Sequence, residues 1–520
     1  MSRKLNQTGF LMPALIGAII VFGLLAAATL TVVYGNIFVV KNNRQSQTAF
    51  NIAEAGINYY LWHLNHNVAD FKDGTGTGTL GTYGYGPYTH DYINSNAQKD
   101  GSFTLYILPP SNGSTIVTVR SIGKPVNSTL TRTVEAQIGA TSFASYAVLS
   151  DTALWFGNTE TANGPVHSNQ GVRMDGANSD HVSAANTTYV PSGQLGGDGA
   201  SHPGVWCGLT ITTPVNCATR SKAAWDYPVA SIDFNRVSGS LCSMKKTAFA
   251  DDPSTAALAT QSTACSQVPT TRTAAYLPRR STTYSVSRGY LIKLNSNKTY
   301  NISTVNGEND LLTPYTSALS LTSLATNVPL PPGGVIFAED NVWVRSNGAF
   351  NGRVSIGAGR LADTAVPNIS IVGSLTYAAK NGTNVIGLVS EGDIDIAPYA
   401  PPASGNFAFE VNGALLAQTG SVYYRGTYRA NTSRCTRGWT GAGQTFNFYG
   451  AVASRQTWTW TWQTNMQCGD AGYDTTNGYI SGIMRNTTTY DYDLLSTPPP
   501  GFPVTGGSSI LAWREVLTRP

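Results

Sequence analysis

Between Leu11 and Val40 the chain carries no charged residue, and basic residues bracket the stretch, Arg3 and Lys4 ahead of it and Lys41 and Arg44 behind. At a rise of about 1.5 Å per residue such a run outreaches a hydrocarbon core of roughly 30 Å, whereas the apolar part of a secretory leader spans only about 7–15 residues. The spacing predicts a retained membrane-crossing helix with a short segment before it and nearly all of the chain after it. The basic flanks are too evenly matched to orient it. The six cysteines decide: Cys207, Cys217, Cys242, Cys265, Cys435 and Cys468 all follow the span, and an even count suits disulfides in an oxidising compartment. The expected topology is single-pass, with a cytoplasmic N-terminus and an extracytoplasmic C-terminal ectodomain.

Only 12% of the residues are charged and the formal charge is +4, with no Lys/Arg cluster, so a nucleic-acid surface is not expected. The abundant Gly, Thr, Ser and Asn suit turns and strands, and the length implies more than one structural unit. Past Arg44, Phe50, Ala53, Ile57, Tyr60, Leu61 and Leu64 recur at three- and four-residue steps, which predicts that the helix continues as an amphipathic rod. Its whole length to Leu64 would be roughly 80 Å.

These first sixty-five or so residues resemble a type IV pilin-like protein. A basic leader ends in Gln7-Thr8-Gly9, the apolar helix opens at Phe10, and Ala53-Glu54-Ala55-Gly56 is similar to the signature of PilX-type minor pilins. The resemblance implies processing after Gly9, a mature N-terminus at Phe10, and partnership with other pilin subunits and the pilus assembly machinery. Two positions after Leu11 depart from the pattern: Ala14 stands where many pilins carry glutamate, and Pro13 beside it is unusual. A carboxylate in a bilayer needs a partner and so sets register between subunits; Ala14 supplies no such lock, which points to a sparse or initiating subunit. The segment 146–176 and the tail, with Tyr490-Asp491-Tyr492 and Trp513-Arg514-Glu515, resemble bacterial pilus-associated proteins as well.

Behind the helix, Asp73 to Gly86 reads as a Gly/Thr linker, followed by strands at Phe103–Ile107, Thr115–Val119 and Leu130–Ile138, the first two joined by an Asn112-Gly113 turn. They predict a small antiparallel sheet on the helix. From Tyr146 short apolar strands alternate with Gly and Asn, and Gly352, Gly373, Gly392 and Gly413 lie about twenty residues apart, close to one turn of a parallel β-solenoid. A β-sandwich is the alternative. The expected organisation is a leader (1–9), a transmembrane and amphipathic helix (10–66), a linker and small sheet (67–145), and a mainly β, β-helix-like ectodomain (146–520). Disulfide-bearing insertions fall at about 200–330 and 425–475. The run Pro498 to Pro503 is expected to strap the last rung, shielding its backbone donors.

Catalytic templates fit poorly. There is no phosphate loop, dinucleotide fingerprint or nucleophile elbow. His167, Asp175 and His181 could converge on a metal, but the simpler reading has His167 as a polar corner residue, and no metal or cofactor is expected. Glu391, Asp393 and Asp395 alternate as one strand face would, and could be paired acids cleaving a glycan, a solvated face or a calcium site. Trp458, Trp460 and Trp462 would share a face, as a core ladder or as a platform for sugar rings. Nearest-neighbour disulfides are expected: Cys207–Cys217, Cys242–Cys265 and Cys435–Cys468. The sequence thus predicts a non-enzymatic, membrane-anchored, structural or adhesive surface protein that can bind surface glycan. The competing reading is a surface polysaccharide-binding or polysaccharide-degrading β-helix.

Overall fold

In a computed structural model the structure describes residues 11–66, 70–110, 116–157, 160–208, 217–310, 312–401, 405–425, 439, 443–463, 480–483 and 485–517. These fall into two compact units, one within 1–109, 117–139 and 508–520, the other within 110–116 and 140–507. The fold is mainly β, with one long N-terminal apolar helix and several parallel sheets.

In the first unit, helix α1 (Leu11–His66) is continuous. Its second half buries Ile52, Ala53, Ile57, Tyr60 and Leu64 against an antiparallel sheet of β1 (Tyr85–Ile93), β2 (Lys99–Leu108), β3 (Val117–Pro125) and β4 (Arg132–Ser142). Phe103, Leu105 and Ile107, then Val117 and Val119, then Val134, Ala136 and Ile138 alternate inward, as the period of two requires. The close approach depends on small residues. A Cβ at Gly56 would meet the Phe103 ring at 2.9 Å and collide with the Ser121 hydroxyl, and one at Gly123 would strike the Ala49 and Ala53 backbone. Ala53 and Gly56 therefore have a packing reason to be small, whatever else the motif signifies.

Two elements differ from the sequence reading. The expected linker enters β1, and the turn before it is held by polar contacts: Asp70 accepts from the Lys72 and Gly74 amides and pairs with His63 at 3.1 Å, while Asp73 pairs with His90 at 2.6 Å. Apolar patterning could not show this. The tail also adds a strand, Val504–Val516, beside β4, tied by Arg514 to Glu135 and by Arg132 to Glu515. The Asn112-Gly113 turn lies outside the described residues.

The second unit is built from passes of chain that contribute one strand to each of two parallel sheets. Among its described strands are β5 (Val148–Ser150), β6 (Leu154–Phe156), β7 (Val166–Ser168), β8 (Val172–Met174), β9 (Val182–Ala184), β10 (Val205–Trp206), β11 (Trp225–Asp226), β12 (Tyr276–Leu277), β13 (Gly289–Asn295), β14 (Thr299–Glu308), β15 (Leu319–Pro329), β16 (Val335–Ala338), β17 (Asn341–Asn347), β18 (Arg353–Ala358), β19 (Ile369–Ile371), β20 (Val385–Ser390), β21 (Ile394–Ile396), β22 (Phe407–Ala417), β23 (Val422–Tyr424), β24 (Gln444–Ser454) and β25 (Trp458–Thr459). The first sheet runs β12-β16-β18-β20-β22-β24-β5-β7-β9-β11, and the second β15-β14-β13-β17-β19-β21-β23-β25, with β6, β8 and β10 forming a separate parallel set.

One aliphatic ladder threads the first sheet: Ile336, Ile356, Leu388, Leu415, Val452, Val148, Val166 and Val182 stand at a single level. Its members from Ile336 to Val452 face Val342, Ile369, Ile394 and Val422 of the second sheet across a shared core, whereas Val148, Val166 and Val182 pack with Leu154, Val172 and Val205 of the β6-β8-β10 set. The opposite face of the first sheet is also buried, by helix α2 (Arg236–Ala250), Phe143, Tyr490, Leu494 and Phe502. Burial on both faces explains why these strands read as unbroken apolar runs.

The glycine spacing does not mark equivalent positions: Gly352 precedes β18, Gly373 follows β19, Gly392 lies between β20 and β21, and Gly413 sits inside β22. The ladder carries the true repeat, and its steps along the chain are uneven because loops of different length intervene. The antiparallel β13-β14-β15 meander and strands β10 and β12 also lie within the stretch expected to be an insertion. The proline strap covers a face, not an end: Arg353 of β18 donates to the Thr497 and Pro498 carbonyls at 3.0 and 2.7 Å, and Pro499 packs over Gly387 of β20.

Candidate functional site

The apolar half of α1 is the most distinctive surface. From Met12 to Val40 its Ile, Leu, Val and Phe side chains point outward on every side, Phe22 being 75% exposed, and the helix is long and apolar enough to cross a membrane. Pro13 lies two residues into the described helix, and Ala14 is exposed. Further along, Ala53 and Ile57 are buried on the sheet, Phe50 and Glu54 half-buried, with Phe50 beside Trp513 and under the Arg132 guanidinium. Gly9 and Phe10 lie outside the described residues.

The three candidate carboxylates do not share a strand face. Glu391 and Asp393 precede β21, and only Asp395 is in it. Glu391 accepts the Arg360 amide at 2.7 Å, and Asp393 accepts the Ser421 amide at 2.7 Å. Asp395 is buried on the outer face of the second sheet, accepts from Ser370 at 3.1 Å and pairs with Arg425 at 3.2 Å. Arg425 in turn holds Glu308, which receives the Tyr399 hydroxyl. Burial raises all three carboxyls, and pushes Asp395 up to about 7 against the pull of Arg425. Raised acids are what glycan cleavage would need, but Glu391 and Asp393 each hold a loop amide through one oxygen, and Asp395 faces Arg425.

His167 lies within β7, not at a corner, and side chains satisfy it: Nδ1 meets the Ser183 hydroxyl at 3.0 Å and Nε2 the Asn169 carbonyl oxygen at 3.1 Å. Burial lowers its pKa, against the Asn169 contact. Asp175 instead accepts from Arg173 Nε at 2.8 Å, from the Trp155 indole at 2.9 Å and from the Gly208 amide at 2.9 Å. The Arg173 guanidinium is wedged between Trp155 and Trp206, 5.0 Å from each ring. Exposed His181 faces Asp226. Among the described residues no three His, Cys, Asp or Glu side chains gather as metal ligands.

Cys207–Cys217 and Cys242–Cys265 are bonded, as nearest-neighbour pairing predicts, while Cys435 and Cys468 lie outside the described residues. Trp460 is buried against Phe446 and Phe448, and Trp458 is half-buried beside Phe156. These two are core residues; the Trp462 side chain lies outside the described set. Sequence reasoning missed the ion pairs that join distant segments, Arg425 with Glu308 and Lys245 with Glu339, because no local spacing signals them.

No family model and no curated protein matches the chain. Among solved structures it is similar to the competence-associated pilin ComZ from Thermus thermophilus, at 13% identity over 92% of this chain and 98% of that one, with a TM-score of 0.28. At that identity and TM-score the likeness assigns this chain neither a family nor a role.

Proposed function

We propose that the chain is a pilin-like, pilus-associated surface protein, held in the membrane by the first half of α1 and able to pass into a filament through the same surface. One observation carries the reading: a single unbroken helix is apolar on every side for its first half and docks by small residues onto an antiparallel sheet for its second. The exposed half needs a lipid or protein surrounding, because that much contiguous apolar area is unfavourable in water. The role is structural or adhesive and non-enzymatic, with other pilin subunits, the assembly machinery and a surface glycan as partners. Ala14 makes it a minor subunit, because it brings no carboxylate to set register in a growing fibre.

Mass spectrometry of the N-terminal peptide, on protein from the native envelope and from sheared filaments, tests this. A chain beginning at Phe10 and recovered with filaments is the expected result. A chain retaining Arg3 and Lys4 and absent from filaments would leave a permanently anchored surface protein. For the minor role, Ala14→Glu should raise the fraction recovered in filaments, and an unchanged fraction would count against it.

A further inference from the structure

Lys245 lies on the buried side of α2 and Glu339 in the turn between β16 and β17; both side chains are fully buried and in contact. Lys245 Nζ donates to the carbonyls of Cys265 at 3.0 Å and Gln267 at 2.6 Å. Those two acceptors use both hydrogens of a neutral amine and leave its lone pair for the third neighbour, the Glu339 carboxyl. Although Nζ touches Glu339 Oε1, that oxygen receives no aligned hydrogen bond. The other oxygen accepts from Arg279 Nη2 at 3.1 Å.

Keeping this pair ionised away from water is costly, since each ion has lost its hydration. A proton shift from Nζ to the carboxylate removes both charges, and burial already lowers the lysine's pKa, which is the usual route to a nucleophilic amine. We propose that Lys245 and Glu339 condense into an intramolecular amide joining α2 to the turn after β16. The Nζ lone pair forms a bond to Glu339 Cδ, and the oxyanion of the tetrahedral adduct lies against the Arg279 guanidinium, placed as an oxyanion donor must be. The adduct's hydroxyl then takes a proton from Nζ, the Cδ–O bond breaks and water leaves. Amine and acid become amide and water, with no oxidant, reductant or other reactant. In bulk water the reaction is opposed by the hydration of the two ions it consumes; in this site that hydration is absent. The amide would fasten the α2 segment to the sheet beside the Cys242–Cys265 disulfide, and reduction would not release it.

Intact mass of the full chain, reduced and denatured, tests the link. The expected mass is one water below that calculated for the chain from its observed N-terminus, and the tryptic map should contain the Lys245 peptide joined to the Glu339 peptide with no cleavage after Lys245. Lys245→Met should return the mass to the value calculated from its sequence. If that variant does not fold, the wild-type map decides alone. An undiminished wild-type mass, with Lys245 as reactive as Lys246 toward an amine reagent after denaturation, would overturn the proposal and leave an ordinary buried ion pair.

Discussion

Gly56 and Gly239 both sit in helices, yet their surroundings give them opposite expectations. At Gly56 the missing Cβ lets α1 lie against Phe103 and Ser121, so Gly56→Val forces the helix off the sheet and should cost about 1–3 kcal/mol, read as a lower urea midpoint for the first unit. Gly239 is exposed on α2, and a Cβ there would meet nothing within 4 Å, so Gly239→Ala should stabilise the second unit by about 0.5–1 kcal/mol. Equal effects of one sign would mean that packing does not set these glycines. Asp395 carries a pH signature. In the fold it keeps its proton up to about pH 7, whereas the unfolded chain releases it near the ordinary aspartate value. The folded state therefore binds more protons between about pH 4 and about pH 7, and this group's contribution to stability falls as pH rises through that window. Burial dominates here, because the Arg425 guanidinium is shared with Glu308. Asp395→Asn removes the titration, so its stability relative to wild type should climb across the same window; parallel urea-midpoint curves would contradict it.

The strap shows how an element can be visible in a sequence while its position is not. Pro498 to Pro503 announces an extended, stiff segment, but what it covers depends on Arg353, which lies far away in the chain and binds the carbonyls of Gly382, Thr497 and Pro498. Arg353→Met should cost about 2–3 kcal/mol, since hydrogen bonds from a charged donor contribute roughly 1.5–3 kcal/mol. It should also bring early proteolysis between 490 and 503. Lys380→Ala, which removes a half-exposed pair with Glu410, should change stability by less than about 1 kcal/mol. If both variants behave alike, the strap is held by Phe502 and its prolines instead. Helix α1 and strands β2, β3 and β4 were legible because a local period wrote each of them. Strand β1 was not, because Gly and Thr hide it and because His63 and His90 anchor the preceding turn through Asp70 and Asp73. Among the candidate sites, proximity in sequence misled: Glu391, Asp393 and Asp395 alternate along the chain, yet Glu391 holds the Arg360 amide, Asp393 the Ser421 amide, and Asp395 meets Ser370 and Arg425.

At the scale of the molecule, chain order and stacking order disagree. Strand β24, from the last stretch of the first sheet, pairs with β5, from its beginning, so Val452 meets Val148 from about 300 residues away. The first passes, β5, β7 and β9, therefore extend the sheet beyond β24 and do not start it. A repeat read from glycines could not reveal this, since local spacing carries no information about which pass stacks on which. The arrangement has a kinetic consequence. Pairing β5 with β24 closes a very long loop, whereas β16, β18, β20, β22 and β24 can add to one another over short separations, and loop-closure entropy delays the first kind of contact more than the second. On refolding, amides of β18 to β24 should gain protection from hydrogen exchange before those of Val148–Ser150 and Val166–Ser168, as read by pulse labelling and mass spectrometry. Leu388→Ala, which removes a ladder residue from the early group and should cost about 2–5 kcal/mol, would then slow protection of both groups, whereas Val166→Ala would leave the early group's rate unchanged. Simultaneous protection of both groups in the wild-type chain would mean that the long-range pairing belongs to the folding nucleus itself.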